Sequence, residues 1–207
     1  MIRAVLFDVD GVLMDSREAN IAFYRNLLKR YGYPERSDAD LAHGHYLTLL
    51  ESIAFLTQEP SQERVRQIWE ESRSLTDYDP TLVRLPDRCE EVLDRLYERF
   101  QLGLVTSRIR EGIDQYFEFS GLGDRFVVSL AYDDYEKPKP APDPLLIACI
   151  RLGLWPNEAV YVGDAPVDLE CAVAAGTHFI AYGDAIPGHQ PAVCSFPELE
   201  RALEAFE

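Results

Sequence analysis

Short apolar runs alternate along this chain with stretches in which apolar residues recur every three to four positions. The runs lie at 4–7, 102–105, 126–129, 159–162 and 179–182, and several are apolar throughout. Unbroken apolar runs of this length are what parallel strands covered on both faces require. Between them fall helical patterns. Val92, Leu93, Leu96 and Phe100 form one face, preceded by Asp87 and Glu90 at capping-box spacing. Ile109, Ile113, Tyr116 and Phe117 form a second, and Leu145, Ala148, Cys149 and Leu152 a third. Pro166 suits the first turn of a helix that stops at Gly176. Strand alternating with helix predicts an α/β domain with a parallel sheet.

One region breaks the alternation. From Arg17 to Arg84 the pattern is helical and no strand is evident. Ile21, Tyr24, Leu28 and Tyr31 share a face, 41–56 reads as a second helical stretch, and Val65, Ile68, Trp69 and Ser72 mark a third. An all-helical insertion after the first strand predicts a small second domain, with chain crossings near Ser16 and Leu85. The expected units are 1–16 with 85–207, and 17–84.

Composition narrows the function. The 207 residues are 47% hydrophobic and 27% charged, an ordinary globular balance. A net charge of −16 opposes general binding to nucleic acid or to an anionic membrane. It also means that any phosphate site must supply its own local cations. Cys89, Cys149, Cys171 and Cys194 lack zinc spacing and read as buried thiols in a reducing compartment. No apolar run reaches 18 residues, and the first strand is too brief for a signal peptide. A cytoplasmic monomer is expected.

Four clusters at strand ends carry candidate chemistry, and ligands bind at that edge of an open parallel sheet. Asp8-Val9-Asp10-Gly11 delivers two carboxylates on one side of an extended chain, a pair that favours a hard cation or a shared proton. Thr106, Ser107 and Arg108 follow the second strand and precede a helix, where a hydroxyl and backbone N–H groups can hold a phosphate oxygen. Lys137 and Lys139 sit in a proline-stiffened loop. Gly163-Asp164-Ala165-Pro166-Val167-Asp168 ends another strand in a carboxylate, with a second four residues on. Each cluster alone also fits a plain structural role, such as a polar loop, a helix cap or a solvated turn. Together they supply a nucleophile, a proton shuttle, an oxyanion donor, a cation and a metal ligand, which suits in-line phosphoryl transfer.

This ordered set resembles the haloacid dehalogenase superfamily, in its phosphoglycolate phosphatase-like and beta-phosphoglucomutase-like subgroup. The resemblance spans nearly the whole chain: DVDG at 8–11, VTS at 105–107, the loop lysine and GDAPVD at 163–168. It implies a Rossmann-like core with a helical cap over 17–84, and an Mg²⁺-dependent phosphatase acting on a small phosphorylated metabolite. Asp8 would be the nucleophile that forms an aspartyl-phosphate, and Asp10 the acid and base. Asp8, Asp10 (through its backbone carbonyl) and Asp164 would bind Mg²⁺. Thr106, with Ser107 and Gly11, would hold the phosphoryl group, and Asp168 would orient the lysine or a metal-bound water. Both Lys137 and Lys139 fit Lys-Pro-x-Pro, and the 25-residue spacing to Asp164 favours Lys139.

Asp10 argues against a metal-free dehalogenase, which lacks the second aspartate. Gly163 departs from the Glu-Asp of mutase-like relatives and favours a phosphatase. A phosphomutase and a pyrophosphatase remain as alternatives, with a dehalogenase or a non-catalytic binding protein behind them. His43 and His45 flank Gly44 where such families carry a substrate-specificity loop, and Arg108 is a further substrate-contact candidate. Trp69 and Trp155 are expected to pack, and 132–135 to form an exposed acidic loop.

Overall fold

A computed structural model of the chain describes residues 1–74 and 76–206. The apolar runs become a six-stranded sheet in the order β3-β2-β1-β4-β5-β6. The strands are β1 (Ala4–Phe7), β2 (Gln101–Val105), β3 (Phe126–Leu130), β4 (Ala159–Gly163), β5 (His178–Tyr182) and β6 (Ala192–Val193), and every pairing is parallel.

Alternation along the strands divides the core. Val5, Phe7, Leu104, Val160 and Val162 face α5 (Cys89–Tyr97), α6 (Arg110–Ser120) and α9 (Phe196–Leu203). Ala4, Leu6 and Tyr161 face α7 (Asp143–Leu152) and α8 (Pro166–Ala175). Both sides of each central strand are therefore buried, which is why the runs lack polar alternation. Phe7 pairs in register with Leu104 on one side and Val162 on the other, so β1, β2 and β4 end level. The chain order reverses between β1 and β4, which makes this edge the switch point where open α/β sheets bind ligands.

Between β1 and β2 come α1 (Arg17–Tyr31), α2 (Asp38–Gly44), α3 (Leu49–Thr57) and α4 (Gln62–Ser72). They share their own apolar cluster, which includes Phe23, Leu27, Leu41, Ile53 and Ile68 and borrows Ile109 from the start of α6. The chain leaves the sheet and returns to it side by side. Asp15 N–H donates to Arg84 O at 2.9 Å, and Arg84 N–H donates to Asp15 O at 3.1 Å. Arg73 ties the helices to the sheet layer through Asp133 (2.6 Å) and Glu111 (3.0 Å).

Several sequence expectations need correction. The stretch 41–56 is two helices, broken after Gly44, and α3 restarts at Thr48 with a reciprocal Thr48–Glu51 capping box. The Asp87–Glu90 box does not form; Arg88, in a left-handed conformation, precedes α5. β6 and α9 were not anticipated. Trp155 is 75% exposed rather than packed. Cys194 is exposed, whereas Cys89, Cys149 and Cys171 are buried, and all four are free. The acidic stretch at 132–135 is engaged: Asp133 accepts from Arg73 and from the Arg110 backbone, and Asp134 accepts from the Ala131 N–H. Among the described residues no helix is long and apolar enough to cross a membrane.

Candidate active site

Three strand ends build the site. β1 delivers Asp8, whose N–H donates to Val162 O at 2.9 Å. β2 delivers Thr106, whose N–H donates to Leu130 O at 3.1 Å. β4 delivers Asp164 one residue past Gly163. The loop before α7 adds Lys139, and the first turn of α8 adds Asp168.

Lys139 and Asp168 form a buried ion pair of 2.7 Å, with side chains 2% and 0% exposed. Every polar atom of Asp168 is engaged. Oδ1 accepts from Lys139 Nζ and from Tyr161 Oη (3.0 Å), and Oδ2 accepts from the Ala165 N–H (3.0 Å). Lys139 Nζ also donates to Tyr161 Oη at 2.9 Å and lies 3.4 Å from Asp8 Oδ1. The ion pair resists the burial that favours a neutral amine, and Asp168 and Asp8 hold Lys139 above the usual lysine range.

Asp8 is in the opposite condition. Its Oδ1 is buried and accepts no hydrogen bond. Burial pushes its carboxyl up from 3.8 to about 7 against the pull of Lys139, with Asp168 and Asp10 adding to the rise. Burial, followed by Asp8 and Asp168, pushes Asp164 up to about 8. Asp8, Asp164 and Asp168 present carboxylate oxygens within 4.8 Å of one another. With Asp168 committed to Lys139, Tyr161 and backbone, Asp8 and Asp164 are the carboxylates left for a cation. An orphaned oxygen, crowded acids and an all-oxygen donor set fit a hard divalent ion such as Mg²⁺.

Gly11 makes this crowding possible. Its φ is +73°, and a Cβ there would lie 2.0 Å from Asp164 Oδ2. At Gly163 a Cβ would meet that of Asp168 at 2.5 Å.

Asp10 is held apart from the crowded acids. Arg108 grips it with two bonds, Nε to Oδ2 at 2.7 Å and Nη2 to Oδ1 at 2.8 Å. Ser16 Oγ and Asn20 Nδ2 also donate to Oδ1. Burial opposes the charge on Asp10, but Arg108 outweighs it and holds the carboxyl well below the usual carboxylate range. Arg108 stacks 5.3 Å over the Tyr78 ring and donates to Tyr78 Oη at 3.1 Å. The Thr106 hydroxyl accepts from the Arg108 N–H at 3.2 Å, which leaves its own hydrogen for another acceptor.

These groups line an open-mouthed cleft of ≈ 100 Å³, with Phe23, Tyr24 and Leu49 of the helices on the far side. Ser107 and His45 also line it. His45 Nδ1 lies 2.9 Å from Asn20 Nδ2, and burial lowers the His45 pKa. His43 does not reach the cleft; it is exposed on α2, with its ring 5.0 Å from Phe55. Lys137 is exposed and Lys139 buried, so the structure brings only Lys139 to Asp8. Sequence reasoning gave no role to Asn20, Tyr78 or Tyr161. Tyr161 alone offered a signal, as a polar-tipped residue inside an apolar strand.

Comparison with known proteins agrees with this geometry. Residues 5–182 match the family of haloacid dehalogenase-like hydrolases. The pyrophosphatase PpaX of Bacillus velezensis is 31% identical, the match covering 91% of this chain and 87% of that protein. A phosphoglycolate phosphatase of Shigella boydii is 28% identical, covering 93% and 88%. The crystal structure of a subfamily IA hydrolase of that superfamily from Geobacter sulfurreducens superposes with a TM-score of 0.74 at 31% identity, covering 98% of this chain and 96% of that one. From its strand-end carboxylates to its sheet order, the chain belongs to the haloacid dehalogenase-like hydrolases.

Proposed function

We propose that this hydrolase is an Mg²⁺-dependent phosphatase of small phosphorylated metabolites that passes the phosphoryl group first to Asp8 and then to water. The observation that carries this reading is the Asp8 carboxylate. It is buried at the switch point, has one oxygen without a hydrogen bond, and lies between a lysine and a second crowded carboxylate.

Asp8 attacks phosphorus as the bond to the ester oxygen breaks, and that oxygen leaves with a proton that Asp10 has first taken up from solvent. Asp10 then takes a proton from water as the water oxygen attacks phosphorus, and the Asp8–phosphorus bond breaks. The Thr106 hydroxyl donates to a phosphoryl oxygen, and Lys139 supplies a fixed positive charge beside Asp8. Asp8 and Asp164, with the Asp10 backbone carbonyl, would hold Mg²⁺, which when bound offsets the charge of the phosphoryl oxygens and the nucleophile. Residues 17–84 act as a cap on a core of 1–16 and 85–207, and closure limits the water that reaches the site. The two similar proteins act on pyrophosphate and on phosphoglycolate by name, and each of those compounds carries a second anionic group. The 31% identity to PpaX makes pyrophosphate the second reading.

Phosphate release from p-nitrophenyl phosphate tests the proposal, with Mg²⁺ or EDTA, for wild type and Asp8→Asn. Activity that needs Mg²⁺ and vanishes in Asp8→Asn is expected. Undiminished activity in the variant would sink the reading.

A further inference from the structure

Both oxygens of Asp10 accept hydrogen bonds in this structure. Oδ1 accepts from Ser16, Asn20 and Arg108, and Oδ2 accepts from Arg108. Held in that two-bond grip Asp10 is a carboxylate with no proton to give, and the grip has to loosen before it can take one up and pass it to a leaving oxygen. Ser16 and Asn20 are anchored near the start of α1 and reach Asp10 from its own side of the cleft. Arg108 reaches it from across the fold, 98 residues away in sequence, and also donates to Tyr78 Oη (3.1 Å) and Asn20 Oδ1 (3.4 Å); of the three partners it alone is a cation for which an incoming anion competes.

Arg108 is also the cation left for a substrate. Among the described residues lining the cleft, the lysines and arginines are Lys139 and Arg108. Lys139 is committed to Asp168, Tyr161 and Asp8 and is 2% exposed at its side chain. Beyond Arg108, towards the helices, Phe23, Leu47, Leu49 and Ile109 line the cleft beside His45 and Tyr46, with no further lysine or arginine among the described residues. An anionic group entering on that side meets a single full positive charge. It already lies over the Tyr78 ring with its fork turned to a carboxylate.

Resting on the phosphatase reading, the geometry points to Arg108 as the residue that selects phosphorylated substrates, esters or anhydrides, bearing a second anionic group, a carboxylate or a further phosphate. Such a group offers the planar fork the same two-bond contact that Asp10 offers. It draws the guanidinium away and leaves an Asp10 oxygen free to take a proton from water and pass it to the ester oxygen. A substrate whose far end is neutral leaves the fork on Asp10. Recognition is thereby spent on kcat as well as on KM.

The test compares kcat/KM for 2-phosphoglycolate with that for 2-hydroxyethyl phosphate, where a neutral hydroxyl replaces the carboxylate. Pyrophosphate against methyl phosphate is the parallel pair for a second phosphate. Wild type, Arg108→Gln and Arg108→Lys are assayed, each with its melting temperature. Wild type is expected to prefer the anionic member of at least one pair by about 10–100-fold, the worth of a charge-assisted contact. That preference should collapse towards unity in Arg108→Gln and be partly restored in Arg108→Lys, which keeps the charge but not the fork. The pair that shows the effect names the anion. A wild-type preference that survives unchanged in both variants, or no preference in either pair while p-nitrophenyl phosphate is hydrolysed, overturns the inference and leaves the phosphatase reading intact. If no phosphate ester is turned over, that reading fails. Calorimetry of 2-phosphoglycolate and of pyrophosphate binding to wild type and Arg108→Lys then decides. A binding loss of tenfold or more for either compound supports the inference, and no loss for both overturns it.

Discussion

The side chains of the cleft divide by whether their charges are matched. Lys139 and Asp168 are matched and buried, and breaking such a pair leaves an uncompensated charge. Asp168→Ala is therefore expected to cost about 3–5 kcal/mol in urea unfolding. Lys137→Ala changes a solvated lysine and should stay within about 0.5 kcal/mol, with activity unaltered. Equal effects of the two variants would contradict the assignment of Lys139. Gly11→Ala places a Cβ 2.0 Å from Asp164 Oδ2 at a φ of +73°. It should destabilise the fold by at least about 1 kcal/mol and weaken Mg²⁺ binding, read as a smaller rise in melting temperature on adding the ion. At this scale much was legible. Asp8, Asp10, Thr106 and Asp164 each follow an apolar run, so strand ends alone bring them together. The choice between Lys137 and Lys139 was not settled by sequence pattern alone, because both fit Lys-Pro-x-Pro. The Arg108–Asp10 pair was hidden because it spans 98 residues and exists only once β1 and β2 lie side by side.

Among the elements, the central strands were readable because burial on both faces removes polar residues from them. The rim was not. β6 has two residues, too few for any periodicity, and α9 follows it near the end of the chain. The stretch 41–56 misled for a different reason. Leu41, Ile53 and Leu56 all serve one apolar cluster, so their spacing looks continuous across a break. Gly44 and the Thr48–Glu51 box mark the break, and the loop between them places His45, Tyr46 and Leu47 on the cleft. Thr48→Ala is expected to cost about 1 kcal/mol by removing the cap. Because the loop is pinned by that cap, the KM for the preferred substrate should rise in the same variant. A stability loss without any KM change would show that the loop does not touch substrate.

For the whole molecule, crowded carboxylates couple folding to pH and to metal. Burial pushes Asp8 up to about 7 and Asp164 up to about 8, both above the 3.8 of a free aspartate. Between 3.8 and these values Asp8 and Asp164 bind more protons in the folded protein than in the unfolded chain, so their contribution to the stability of the metal-free protein falls as pH rises from about 4 to about 8. Cation binding displaces those protons. The gain in melting temperature from Mg²⁺ should therefore be larger at pH 8.5 than at pH 5.5, and it should shrink in Asp164→Asn. A gain independent of pH would place the ion elsewhere.

The most direct test of the central claim is the chemistry on Asp8 itself. Wild-type enzyme is mixed with a phosphorylated substrate and Mg²⁺, quenched in acid during turnover and digested, and the peptide containing Asp8 is analysed by mass spectrometry. The expected result is an alkali-labile phosphoryl group on Asp8 that is absent from Asp8→Asn. Steady turnover with no phosphoryl group on this peptide, or with one on another residue, would contradict a mechanism that runs through Asp8.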